Sequence, residues 1–141
     1  MKNPNPIPPP PISDDTWEAC WELPADPETV GTARRLAREV LAAWGLPALA
    51  DDVATVVSEV VTNAVVHAKS PVTFSLSRRG RSVRGEVTDR GAAWPTLLAA
   101  GPDEERGRGL AIVAAYADRW GVEPAPEGKT VWFVCAEWRS R

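Results

Sequence analysis

With 141 residues, 44% of them hydrophobic and 25% charged, the chain has the size and composition of one globular domain that can bury a core without metals or disulfides. No apolar run approaches the roughly 20 residues of a membrane span, and Lys2 followed by prolines is no secretory signal, so a cytoplasmic location and no membrane contact are expected. Sixteen basic against nineteen acidic side chains, with a pI near 5.2, argue against direct nucleic-acid binding, which calls for a basic stripe.

Residues 1–15 hold six prolines and read as a disordered, polyproline II-like tail ahead of a domain at 16–141. From Thr16 to Leu23, Trp17, Ala19 and Trp21 alternate with Glu18, Cys20 and Glu22, the period of a half-buried edge strand or N-terminal arm. Asp26-Pro27-Glu28 reads as a helix start and Gly45 as its stop, giving a first helix over about 27–44. After Pro47 a second helix carries Asp51 and Asp52 in its first turn, then Val53, Val56, Val57, Val60, Val61, Ala64 and Val65 as one apolar stripe, ending near Ala68.

Val72-Phe74-Leu76 and Val83-Gly85-Val87 alternate on either side of a turn at Arg79-Gly80 and predict a hairpin reaching Asp89. Arg78, Arg79, Arg81 and Arg84 cluster there as a solvated hairpin tip. Residues 90–106 read as a mobile loop, and a third helix is expected from Gly109. Trp120 to Val122 is a short strand, Pro124 to Gly128 a turn, and Thr130 to Trp138 the most β-prone stretch in the chain. Strands grouped in this way predict an α+β two-layer sandwich, with helices on one face of a mixed, largely antiparallel sheet. Cys20 and Cys135 are far apart with one histidine in the chain, which suits two buried thiols better than a zinc site.

Three short patterns carry chemistry. Glu59, Asn63 and His67 recur every four residues on the second helix and so share one face, next to the apolar stripe. Asp89 ends a strand two residues before Gly91, which presents a carboxylate where the backbone can turn away and leave room for a flat ligand. Gly107-Arg108-Gly109 precedes a helix, whose free N–H groups and positive dipole end favour phosphate.

In this order the patterns resemble the GHKL superfamily, the ATPase domains shared by gyrase, histidine kinases and MutL, and within it the anti-sigma-factor serine/threonine kinases of actinobacteria. The resemblance rests on VVSEVVTNAVVHA at 56–68, EVTDRG at 86–91 and ERGRGLAIV at 105–113, with AYADRWGV at 115–122 and GKTVWF at 128–133. It implies a Bergerat fold that binds ATP and Mg²⁺. Asn63 would offer an amide oxygen to Mg²⁺, Asp89 would accept a hydrogen bond from the adenine amino group, and Gly91 would make room for the base. Gly107, Arg108 and Gly109 would form a lid over the phosphates, and Glu59 would serve as general base. His67 is left open between packing and a phosphate contact, and Thr130 is a weaker candidate for the adenine pocket. Gly91 is followed by Ala92 and Ala93, where the fullest form of the motif has a second glycine, so nucleotide is expected to be held loosely. The resemblance implies a kinase that switches between a sigma factor and an anti-anti-sigma factor, with a homodimer allowed. The alternative is a non-catalytic, ATP-responsive module that sequesters its partner.

Overall fold

The computed structural model describes residues 16–91 and 105–137, with the backbone alone for Thr16 and residues 105–110. The expected tail at 1–15, nearly all of the expected loop at 90–106, and Trp138 lie outside these residues. The elements are β1 (Thr16–Leu23), α1 (Glu28–Ala43), α2 (Ala50–Thr62), β2 (Val72–Arg79), β3 (Ser82–Asp89), α3 (Glu105–Tyr116), β4 (Arg119–Ala125) and β5 (Gly128–Ala136). A 3₁₀ turn at Pro47–Leu49 leads into α2, and a π turn at Asn63–His67 follows it. Among the described residues no helix is long and apolar enough to cross a membrane.

The strands form one sheet in the order β1-β2-β3-β5-β4. The fold is the expected α+β sandwich, but the sheet is antiparallel at every pairing rather than mixed. The crossover through α3 explains this. It returns the chain parallel to β3 but one strand away, and β5 then enters the gap and pairs antiparallel with both neighbours. β4 is longer than the expected Trp120–Val122, because Pro124 is accommodated on an edge strand where its missing N–H faces no partner. The turn narrows to Pro126 and Glu127. In the β2–β3 hairpin the loop residues are Gly80 and Arg81, one position later than expected, with Gly80 at φ 61° as a II′ turn requires.

The ends of α1 follow from its sequence. Asp26 Oδ1 accepts a hydrogen bond from Glu28 N at 3.0 Å, satisfying one of the free N–H groups of the first turn. At the other end Gly45, at φ 77°, donates to Ala42 O at 3.2 Å while Leu46 donates to Leu41 O at 2.9 Å, the paired bonds of a Schellman stop. Leu36, Ala37, Val40 and Leu41 of α1 and Val53, Val56, Val57, Val60 and Val61 of α2 face the sheet and are buried against Trp21, Phe74, Leu76, Val83, Val87 and Phe133. Each large side chain in this layer contributes roughly 1.5–3 kcal/mol by leaving water. Gly85 lies across from Phe133 in the register, and the phenyl ring fills the space a Cβ would take.

Among the described residues the other face of the sheet carries no helix. Glu18, Cys20 and Glu22 of β1 point there, with Ser75 and Ser77 of β2 and Glu86 of β3 alongside. Cys20 is thus exposed, and only Cys135 is the buried thiol expected of both. The alternation in β1 requires it, since Trp17, Ala19 and Trp21 take the inner positions. Partial burial pushes the Cys20 thiol above its ordinary range, and the charges of Glu22, Glu18 and Glu86 add to the effect. The arginine cluster is less free than a solvated tip. Arg78 stacks 5.4 Å from Trp17, and Arg84 lies 4.6 Å over Trp132 while Nε pairs with Glu86 at 2.9 Å.

Gly85→Ala should destabilise the fold by roughly 1–3 kcal/mol, the usual cost of forcing an extra methyl into a filled core. Chemical denaturation measures this directly, and an unchanged midpoint would mean that the Phe133 ring does not occupy that space.

Candidate functional site

α2 does two jobs along its length. Its valines enter the core, while Glu59 and Asn63, one turn apart on another face, are half-buried. At Asn63 the helix widens. Ala68 N donates to Asn63 O at 3.0 Å, five residues back, and Ser70 N donates to Ala64 O at 3.0 Å. Such π turns recur at functional sites. The widening ends the four-residue stripe at Asn63, because the angle per residue that placed His67 below it no longer holds. His67 is exposed. Lys69 then adopts φ 55°, a left-handed conformation that costs a side-chain-bearing residue about 1–2 kcal/mol, and turns the chain into β2.

This turn meets the ends of two strands. Ser70 Oγ accepts a hydrogen bond from Arg90 N at 2.8 Å and donates to Pro71 O at 2.6 Å. A Cβ on Gly91 would lie 2.9 Å from the Cβ of Ala68, so the glycine lets the chain leaving β3 pass close to the end of α2. Gly128 packs against the backbone of Asp89 and Arg90 in the same way. Asp89 sits at the centre. Its Oδ1 accepts from Gly91 N at 3.0 Å, and its Oδ2 accepts from Lys129 Nζ at 2.6 Å. The two side chains are only 4% and 7% exposed respectively. A carboxylate this deep in the protein requires such a partner, since an unpaired buried charge is costly.

Of the expected site residues, the structure therefore joins Asp89 and Gly91 to the end of the helix that carries Glu59 and Asn63. Thr130 does not join them. The β3–β5 register sets Asp89 opposite Lys129 and Thr88 opposite Thr130, so Thr130 lies on the helix-free face, where its hydroxyl is 2.7 Å from that of Thr88. Gly107, Arg108 and Gly109 lie within α3, which starts at Glu105 instead of Gly109. Glu105, Arg106 and Arg108 are good helix formers, and they offset the roughly 1 kcal/mol that each glycine costs in a helix. The earlier start moves the free N–H groups of the first turn toward Glu105. The side-chain placements of this segment lie outside the described residues. α3 ends at Tyr116, whose carbonyl accepts from Cys135 Sγ at 3.6 Å at the far end of β5 from Lys129.

Lys129 and Ser70 are the residues the motifs did not single out. The signal for Lys129 was in the alternation of its strand: counting back by twos from Phe133 and Val131 reaches a lysine on the apolar side. Ser70 gave no comparable sign.

Comparison with known proteins agrees with this architecture. Residues 23–135 match the family model described as the histidine kinase-like ATPase domain. A solved structure that the chain resembles is that of the RsbU and RsbW domains of Rv1364c from Mycobacterium tuberculosis. The TM-score is 0.66 at 24% identity, and the match covers 84% of this chain and 32% of that one. The present chain thus spans about a third of that protein's length, and at this identity the likeness is one of fold. No curated protein matches the chain.

Lys129→Met should lower stability by roughly 3–5 kcal/mol, because it strands the Asp89 charge in the interior, whereas Asp89→Asn combined with Lys129→Met should recover most of the loss. Urea denaturation of the four proteins of this cycle gives the answer. A single-variant loss below about 1 kcal/mol would mean that the carboxylate reaches water without its partner.

Proposed function

Because the chain belongs to the family of histidine kinase-like ATPase domains, we propose that it is an ATP-binding regulator that transfers phosphate to a serine of a protein partner. The observation that carries this reading is the convergence of α2, with Glu59 and Asn63, on the Asp89–Gly91 segment at one end of the sheet. Nucleotide would enter there. Asp89 would receive the base, Gly91 would leave space for it, and Gly107 to Gly109 would cover the phosphates.

Glu59 and Asn63 are oxygen donors one helical turn apart, which fits Mg²⁺, a hard cation that takes one or two protein oxygens and completes its shell with water and phosphate. When bound, the ion neutralises charge on the phosphates. Asn63 would hold it through the amide oxygen, leaving the Glu59 carboxylate to orient the partner's serine. As the serine oxygen bonds to the terminal phosphorus and the bond to the bridging oxygen breaks, ADP leaves and the hydroxyl proton passes to Glu59. The partners that fit this chemistry are an anti-anti-sigma factor as phosphoacceptor and a sigma factor as the protein released or held.

Glu59→Gln keeps the size and hydrogen-bonding capacity of the side chain but removes its basicity. Transfer from labelled ATP to the cognate partner should fall by roughly 10²–10⁴ while nucleotide affinity changes little. If the wild-type chain binds both ATP and its partner yet transfers nothing, the protein is a sequestering module instead of a kinase.

Asn63→Ala should weaken Mg·ATP far more than metal-free ATP, as titration calorimetry with and without Mg²⁺ would resolve. An equal loss in both would assign Asn63 to packing.

A further inference from the structure

Among the described residues the pair at the end of the sheet is not saturated. Asp89 uses one acceptor position on each oxygen, for Gly91 N and Lys129 Nζ, and an ionised carboxylate offers about four. Lys129 Nζ donates to Asp89 alone among the described residues, although an ammonium carries three N–H groups. A buried, fixed acceptor therefore lies 2.6 Å from a buried donor with protons to spare. Asp89 alone would favour a 6-amino purine, because a 6-oxo group in the same position would meet a carboxylate.

Two arrangements with bound nucleotide are conceivable, and magnitudes separate them. Expelling Lys129 so that the base takes its place would exchange a charge-assisted bond for a neutral one and break a buried ion pair, a loss on the order of 10²–10³-fold in affinity. Keeping the pair intact and bonding the base to its unused positions costs none of this. We propose that Asp89 and Lys129 read the purine together, and that Lys129 makes the site tolerant of the substituent at position 6. A 6-amino group donates to Asp89, while a 6-oxo group accepts from Lys129 in the same orientation of the base. The inference rests on nucleotide entering at Asp89, as proposed above, and it replaces strict adenine preference with acceptance of both purines.

Displacement of a fluorescent ATP analogue from the full chain tests it, with ATP, GTP, ITP and the triphosphate of unsubstituted purine riboside as competitors. ITP separates position 6 from the 2-amino group of guanine, and the unsubstituted purine has neither donor nor acceptor at position 6. For the wild-type chain GTP and ITP should compete within about tenfold of ATP, and the unsubstituted nucleotide should be about tenfold weaker than all three. In Lys129→Met the ratio of GTP to ATP dissociation constants should rise by about 10²-fold, since the 6-oxo group then faces only a carboxylate. A wild-type preference for ATP well beyond tenfold, or a ratio unmoved by Lys129→Met, overturns the joint reading while leaving ATP binding in place. If no nucleotide displaces the analogue, the proposed function falls as well. The wild-type competitor series decides the matter alone if Lys129→Met does not fold.

Discussion

The antiparallel register of β3 against β5 determines which side chains meet where the helix layer and the sheet end together. It aligns Val87 with Val131 and Gly85 with Phe133 in the core, and the same inward row ends in Asp89 opposite Lys129. A shift of one residue in either strand would put Thr88 or Thr130 in that position and send that strand's charge to the opposite face. The ion pair is therefore the polar end of a hydrophobic row. The burial of that row stabilises the register, and the register holds the carboxylate in place. Gly128 contributes by letting β5 begin directly against the backbone of Asp89.

Much of this could be read from the residues, because periodicity is a local property. The alternation in β1 and in the β2–β3 hairpin, the Asp26 start and Gly45 stop of α1, and the valine stripe of α2 all appear where their spacing places them. What escaped was set by contacts that break the regular helical or strand period. The π turn at Asn63 depends on hydrogen bonds from Ala68 and Ser70, which bend the chain toward a strand that the helix cannot anticipate. Cys20 differs for another reason: the usual burial of a cysteine yields to strand parity, which turns it to the outer face.

The site shows the same division. Glu59, Asn63, Asp89 and Gly91 stand out as motif residues, whereas the partner of Asp89 does not: alternation puts Lys129 on the apolar side of its strand, but only the facing strand shows what it pairs with. Thr130 is a weaker adenine-pocket candidate in the sequence, and pairing places it with Thr88 on the other surface. A motif marks a neighbourhood, and the register assigns the face.

The edges of the sheet bear on how the molecule behaves when concentrated. A free strand edge is a template for another chain, and proteins that expose one are prone to fuse into extended sheets. On the β4 side Pro124 has no N–H to offer, which interrupts the ladder an incoming strand would need. On the β1 side Glu18 and Glu22 flank Cys20 with negative charge, which an acidic strand would have to approach. Pro124 thus guards one border of the sheet against an incoming strand.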